Sequence, residues 1–332
     1  MATIASDDDV FLQFKEESKK QYKRIWTQFR EFAADFNLEA APPGEEILAN
    51  FFKWLREEKK MASSTMWTYY SCVNSILKRK YNVKLQEIPR ITMLLKSYDT
   101  DVKDKATIFE EAKLKMFMVA KMETSYWLVR QAITIVAFFG GLRHQECLDL
   151  VVEKMVRDKD GYKIRHYRVK QRTGATESVF LVPEEGGFAA SLANYLGTIH
   201  EQLHIFTGRA WWTGGVGHTF KKVPMGKNMV AKVPHELAKR FNLANPEEYS
   251  FHSYRRTSAT AAANGGMTTN QMQTFFGWKN GSMAQEYIST SRPSIVAMAN
   301  TLGNLPFDLS DPEVEVEVVV GEEPPPTACC HS

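Results

Sequence analysis

The sequence is poor in cysteine, and it lacks the patterns that mark several common classes of protein. Its four cysteines, at positions 72, 147, 329 and 330, form no Cys-x-x-Cys or His/Cys pair with metal-site spacing. Neither a structural zinc site nor a disulfide framework is therefore expected. A glycine-rich phosphate-binding loop and an acidic metal cluster are also missing. These absences agree with a chemistry that needs no cofactor and no metal.

Long hydrophobic runs are missing too. The longest strongly apolar run, residues 132–142, is too short to cross a bilayer. The first ten residues are acidic and lack the apolar segment of a secretory signal. These features predict a soluble, intracellular protein with no membrane partner.

Charge is distributed unevenly along the 332 residues. Residues 305–332 contain seven acidic residues and no lysine or arginine, whereas residues 1–304 carry 42 basic against 32 acidic residues, a net charge of about +10. Such a body favours a polyanionic partner, although many unrelated proteins reach a similar charge. The acidic tail alternates Glu and Val over residues 313–320, which is compatible with an added strand or with a flexible segment.

The first hundred residues have a helical pattern. Aromatic and aliphatic residues recur mostly at three- and four-residue steps from Phe14 to Phe36, and a second helix is expected from Glu45 to Lys59, after the break at residues 42–44. Ser63-Ser64-Thr65 offers an N-cap for a third helix that reaches about Lys80. A small helical bundle is predicted, with polar and basic edges.

The polar segment 99–105 predicts a domain boundary. Beyond it, helices are expected over 110–122, 126–139, 189–196, 234–241 and 253–264. Two short runs, 162–169 and 178–182, flank Thr173-Gly174 and predict a β-hairpin. The expected fold class is mainly α with a small antiparallel sheet. Its parts are a disordered N-terminus (1–10), a helical domain (11–104), an α+β domain (105–304) and a tail (305–332).

Arg143 follows a Gly-Gly pair and opens an apolar helix. A guanidinium at a helix N-terminus adds to the free amides and the helix dipole, which together favour an anion. The simpler alternative is a surface arginine paired with Glu146, three residues on.

His252 and Arg255 lie three residues apart at a helix start and so share one face. The arginine fork can hold two phosphate oxygens, and the histidine can donate to a third or move a proton. A capping histidine beside a solvated arginine would look the same in sequence.

Trp278 and Tyr287 are nine residues apart, which on one straight helix would put them on opposite faces. Lys279-Asn280-Gly281 predicts a turn, however, and Ser282 to Gln285 reads as a capping box that opens a new helix. Tyr287 would then lie on a short helix of its own, able to move, while Trp278 stays with the preceding one.

The hairpin contributes Lys170 near its tip, with Arg172 as a competitor. A cation there could protonate a departing oxygen. Lysines in β-hairpins are more often simply solvated.

The order of these residues resembles that of the tyrosine recombinase (phage integrase-type) family over about residues 105–300. The carrying features are Gly-Leu-Arg143, the hairpin Lys170, His252-x-x-Arg255, Gly-Trp278 and Tyr287. The segment His-Ser-Tyr-Arg-Arg-Thr-Ser-Ala-Thr is most similar to Crypton-type transposon recombinases of eukaryotes. Trp278 departs from the second histidine that many family members have.

The resemblance implies a core-binding (SAM-like) helical domain followed by a catalytic domain that clamps double-stranded DNA. Tyr287 would be the nucleophile, Arg143 and Arg255 would stabilise the phosphate charge, His252 and Trp278 would position it, and Lys170 would be the general acid. DNA-contacting candidates are Ser63, Thr65, Thr68, Lys78, Arg79, Arg172 and Arg256.

The family's recombinases self-associate to dimers and tetramers on DNA, and a eukaryotic source would place this one in the nucleus (in the cytoplasm for a prokaryotic source). The alternatives are a type IB topoisomerase, which would act alone, and a transposon-derived DNA-binding protein that no longer cuts.

Overall fold

The computed structural model describes residues 5–99, 106–170 and 174–303 of the chain. It divides into two compact units, residues 1–105 and 106–332. The described part of the first unit is all helical. Its helices are α1 (Asp7–Leu12), α2 (Glu16–Phe32), α3 (Glu45–Glu57), α4 (Ser63–Tyr81) and α5 (Pro89–Ser97), with a 3₁₀ turn at Leu85–Glu87 before α5.

The first unit is a bundle around an aromatic core that includes Trp26, Phe29, Phe51 and Tyr69. Its start differs from the prediction. Residues 7–10 were assigned to a disordered N-terminus but form the first turn of α1, because Val10 and Phe11 are buried in this core. Burial of two apolar side chains repays the ordering of one short turn.

The start of α4 also differs in detail. Ala62 is the N-cap and makes no side-chain cap hydrogen bond, so the cap predicted within residues 63–65 is wrong. The helix ends at Tyr81, and Asn82, with a left-handed backbone, is its C-cap.

The second unit contains nine further helices and five strands among the described residues. The helices are α6 (Glu111–Val119), α7 (Ser125–Phe139), α8 (His144–Leu148), α9 (Phe188–Leu203), α10 (Lys227–Arg240), α11 (Phe251–Asn264), α12 (Thr269–Phe276), α13 (Ser282–Ser289) and α14 (Arg292–Gly303). The strands are β1 (Met155–Asp158), β2 (Gly161–Lys170), β3 (Gly174–Pro183), β4 (Trp212–Gly214) and β5 (Phe220–Pro224).

Helix α7 forms the centre of this unit and is buried over nearly its whole length. An apolar run of this kind belongs to a core helix rather than to an amphipathic surface helix. The predicted hairpin is confirmed: β2 and β3 pair antiparallel, with Lys170 opposite Gly174. Strand β1 adds to β2 and makes a three-stranded sheet in the order β1-β2-β3.

Helix α10 starts earlier than predicted. The sequence pattern predicts a helix near residues 234–241, yet the helix begins at Lys227 and contains Pro234. Val230, Val233 and Leu237 are fully buried on the same helix. Their packing outweighs the loss of one backbone hydrogen bond at the proline.

The Glu/Val alternation of the acidic tail lies outside the described residues. Among the helices that the structure describes, none has both the length and the apolar composition needed to cross a membrane.

Candidate active site

Arg143 lies in the turn between α7 and α8, where Gly141 takes a left-handed backbone (φ +52°). A Cβ on Gly141 would come within 2.4 Å of the Phe276 ring, so only glycine allows this approach. Glu146 accepts from the Arg143 amide at 2.8 Å and from its guanidinium Nη1 at 2.7 Å. The pairing with Glu146 expected as the simpler alternative is therefore present, but 48% of the arginine side chain stays exposed.

Glu146 is buried, and its carboxylate binds the backbone and the guanidinium of Arg143. Burial opposes ionisation of its carboxyl, but the hydrogen bonds from the Arg143 backbone and side chain outweigh it and lower the pKa of Glu146. The carboxylate is thus charged at neutral pH. It fixes the backbone that presents Arg143 while leaving part of the guanidinium free to meet an anion.

Among the predicted cations whose burial the structure describes, Arg255 is the most deeply placed, with 3% of its surface exposed. Its Nη1 donates to the Gly141 carbonyl at 2.6 Å and its Nη2 to the Phe276 carbonyl. One side chain on α11 therefore joins the turn before Arg143 to the end of α12. Burial, and then repulsion from Arg143, lowers the pKa of Arg255 to about 10, so it remains charged at neutral pH.

His252 lies at the start of α11 with an exposed ring. Desolvation lowers the pKa of His252 below its usual range, and the neighbouring guanidiniums, first that of Arg255, lower it further. The imidazole is therefore neutral near pH 7 and can take up or donate a proton. Helix α11 begins with a capping box between Ser250 and Ser253, which sets the orientation of this first turn.

Trp278 and Tyr287 stack in parallel, with ring centroids 5.5 Å apart and an interplanar angle of 3°. The convergence expected from the turn at residues 279–281 is confirmed, because α12 ends at Phe276 and α13 starts separately at Ser282. The predicted capping box at Ser282 is wrong: Gly281 is the N-cap and makes no side-chain cap bond. Trp278 also packs on the Phe276 ring, at 4.7 Å.

The rings of Trp278 and Phe276 also lie close to the guanidinium of Arg255. The Arg255 guanidinium lies 5.7 Å from the Trp278 ring centroid and 5.3 Å from that of Phe276. A negative charge on Tyr287 would raise the pKa of Arg255, so the phenol is within electrostatic reach of the guanidinium. The nucleophile candidate, the indole and the central arginine thus form one continuous cluster.

Arg168 on β2 was missed in the sequence. It is 95% buried, and its Nη2 donates to the Phe275 carbonyl at the end of α12. The signal was the strand alternation, because residues 162, 164, 166 and 168 all face the interior. A charged residue at such a position is rarely buried without a partner or a role.

The hairpin tip is only partly described. Lys170 is the last residue of β2 and pairs with Gly174, while Arg172 lies outside the described residues. The choice between the two as the hairpin cation stays a prediction.

The candidate DNA contacts differ in how available they are. Ser63 is buried and donates to Asp99 at 2.9 Å, so it has no surface to offer a partner. Arg256 is half-buried and donates to the Ala106 carbonyl. The remaining α4 candidates are exposed: Thr65, Thr68, Lys78 and Arg79.

Within the described ranges, no group of three or more His, Cys, Asp or Glu side chains could hold a metal ion.

Comparison with known proteins identifies relatives. The model of the "Phage integrase family" matches residues 108–292. No curated protein matches the chain. Among solved structures, the XerH site-specific recombinase bound to difH in a post-cleavage complex is similar over 86% of this chain and 80% of its own, with 14% identity and a TM-score of 0.61.

Two further solved structures share the fold. The Tn1549 transposon integrase in complex with circular intermediate DNA is 15% identical over 89% of this chain and 98% of its own, with a TM-score of 0.56. A lambda integrase dimer bound to a COC′ core site is 15% identical over 83% and 89%, with a TM-score of 0.52.

Proposed function

This chain belongs to the phage integrase family, and from that premise we propose that it is a site-specific DNA recombinase that cuts and rejoins DNA through Tyr287. The observation that carries the proposal is the contiguous cluster of Tyr287, Trp278 and Arg255. A tyrosine that served only to pack the core would need neither its own short helix nor a buried arginine beside the indole on which it stacks.

In the proposed reaction, the Tyr287 phenol releases its proton to water, its oxygen attacks a DNA phosphorus and the bond to the 5′ oxygen breaks. The products are a 3′-phosphotyrosine and a free 5′ hydroxyl. Arg143 and Arg255 stabilise the charge that develops on the non-bridging oxygens, which is the electrostatic contribution that usually dominates. Strand exchange follows when another 5′ hydroxyl attacks the phosphotyrosine and releases Tyr287.

Proton transfer is assigned to the remaining polar groups. Lys170, or Arg172 in its place, donates a proton to the departing 5′ oxygen. Neutral His252 and Trp278 position the phosphate beside the phenol. Because the phosphotyrosine conserves the energy of the broken bond, the reaction requires neither ATP nor a metal ion.

The charge of the site supports a phosphate as its ligand. Arg143 and Arg255 repel each other, and the carboxylate of Glu146 offsets part of their charge. The described cluster therefore carries an excess positive charge that a phosphodiester would neutralise. In the XerH, Tn1549 and lambda structures the protein is bound to DNA, which supports DNA as the partner here.

We extend the proposal to the setting of the reaction. In the first unit, α4 contacts the duplex through Thr65, Thr68, Lys78 and Arg79, and two DNA sites are brought together in a tetramer. The resemblance to Crypton-type sequences favours a mobile element of a eukaryotic nucleus as the source.

The test uses a suicide duplex, nicked so that the cut strand cannot be rejoined. DNA ends that bind the protein are first selected from a random pool, and the covalent adduct is then measured on a denaturing gel. We expect an adduct with the wild type and none with Tyr287→Phe. Tyr167→Phe, which removes an exposed phenol on β2, should react normally. No adduct from the wild type on its selected site would refute the proposal, and relaxation of supercoils without pairing of sites would favour a topoisomerase.

A further inference from the structure

Two arginines from different elements donate to consecutive carbonyls at the end of α12. Arg255 on α11 reaches the Phe276 carbonyl, and Arg168 on β2 reaches the Phe275 carbonyl. The C-terminal carbonyls of a helix lack partners within the helix and carry partial negative charge. The sheet is thereby tied to the turn that follows α12.

The guanidinium of Arg168 is held in one orientation. Its Nε donates to Nε2 of His166 at 3.2 Å. Burial and the charge of Arg168 lower the pKa of His166 to about 4, so that the ring is neutral and can accept this bond. The arginine is therefore fixed at two of its three nitrogens.

The third nitrogen of Arg168 has an unusual environment. Nη1 is buried and has no hydrogen-bond partner among the described residues. It lies against Gly277, where a Cβ would come within 2.7 Å of Nη1 and 3.0 Å of Cδ. An unpartnered buried donor is unfavourable for stability, and such exceptions call for another explanation. The position of this guanidinium serves something besides packing.

The turn that Arg168 supports carries the indole of the site. Gly277 is the left-handed C-cap of α12 (φ +62°), and the Trp278 amide donates to the Gln273 carbonyl at 3.0 Å. Trp278 in turn stacks on Tyr287. A displacement of the α12 end would therefore move the ring that the proposed nucleophile packs against.

We propose that Arg168 is a positioning residue: through the Phe275 carbonyl and Gly277 it fixes the turn that orients Trp278, and through Trp278 the phenol of Tyr287. The inference rests on the proposed cleavage reaction for its functional part. Arg168 is assigned a positioning role rather than a catalytic one, because only 5% of its surface is exposed and its guanidinium is bound to His166 and the Phe275 carbonyl.

The test compares Arg168→Met and Arg168→Lys with the matched control Arg130→Met. Arg130 is also a buried arginine of the second unit, but it pairs with Glu236 and the Tyr126 carbonyl. Removing it controls for the loss of one buried guanidinium and one positive charge. Single-turnover cleavage and DNA affinity are measured separately on the suicide duplex.

We expect Arg168→Met to slow cleavage by about tenfold or more, since small misplacements of reacting groups have effects of this size. Its Kd for DNA should stay within about threefold of that of Arg130→Met, because both lose one charge. Arg168→Lys keeps the charge but not the fork, and its rate should fall between wild type and Arg168→Met. Unchanged cleavage in Arg168→Met would overturn the proposal, as would an equal slowing in Arg130→Met.

A second readout does not depend on activity. The chain has seven tryptophans, and 5-fluorotryptophan labelling gives each a ¹⁹F resonance, with that of Trp278 identified by its loss in Trp278→Phe. The Trp278 signal should shift or broaden in Arg168→Met and stay in place in Arg130→Met. An unmoved signal in Arg168→Met would refute the positioning role. If the signal moves but the wild type forms no adduct, the cleavage proposal fails while the structural link stands.

Discussion

Replacing Arg255 by lysine separates the charge of this residue from its shape. The guanidinium uses two nitrogens to reach two different carbonyls, Gly141 at 2.6 Å and Phe276 at 2.5 Å. A lysine has one nitrogen and is expected to donate a good hydrogen bond to only one of these two carbonyls. The carbonyl left without a partner should reduce the free energy of unfolding by about 1–3 kcal/mol. The loss of a phosphate donor should slow cleavage by roughly 10²–10³-fold.

The pH dependence of Arg255→Lys follows from the same environment. Burial and repulsion from Arg143 lower the pKa of Arg255 from 12.5 to about 10. The same burial and repulsion should hold the pKa of a lysine at this position below its ordinary value of about 10.4. The variant should therefore begin to lose its charge at a lower pH than the wild type does. The ratio of wild-type to variant rates should widen as the pH rises from 7 to 9.

The assay is single-turnover cleavage of the suicide duplex from pH 6 to 9, with urea unfolding in parallel. Arg130→Lys is the control, because it makes the same change at a buried arginine that pairs with Glu236 away from α12 and α13. If Arg255→Lys cleaves within about threefold of the wild type over this range, Arg255 does not stabilise the transition state and the reasoning is refuted.

Three further predictions concern neighbouring features. Glu146→Gln should weaken the hold on Arg143 and slow cleavage by about tenfold or more at similar DNA affinity, measured with the same duplex; an unchanged rate would contradict this. Gly277→Ala should reduce the free energy of unfolding by about 1–3 kcal/mol in urea, because a left-handed residue gains a Cβ that collides with a buried guanidinium; a stability equal to that of the wild type would contradict it. In the first unit, the ion pair with buried Lys80 (2.5 Å) helps to lower the pKa of Asp7, against the effect of burial. Its stabilisation is therefore present above about pH 4 and lost as the pH falls below it, and Asp7→Asn should unfold with less dependence on pH between 5 and 3 than the wild type.

Much of the fold could be predicted because local pattern and tertiary packing agree. Local pattern and tertiary packing both favour the helix that contains Ile25 and Phe29. They also both favour the hairpin predicted around Thr173-Gly174. Where they disagreed, packing prevailed. Val10 and Phe11 order a segment whose composition reads as disordered, and buried neighbours carry α10 through Pro234.

The site shows the same division. The contact between Trp278 and Tyr287 could be predicted from the helical phase and the turn between them, because the turn at Gly281 is a local property of the sequence. Arg168 could not be placed in this way. Its role depends on which helix end the sheet meets, and that is a tertiary property. Ser63 is buried against Asp99, which lies 36 residues further along the chain, so this burial could not be predicted from the local sequence either.

The most direct test of the central claim is the identity of the residue that carries the DNA. The adduct formed on the suicide duplex is digested with nuclease and protease, and the remaining peptide is sequenced by mass spectrometry. We predict a nucleotide on the phenol oxygen of Tyr287, linked through the 3′ phosphate of the cut strand, with a free 5′ hydroxyl on the other product. A nucleotide on another residue, or a 5′ linkage, would contradict the account.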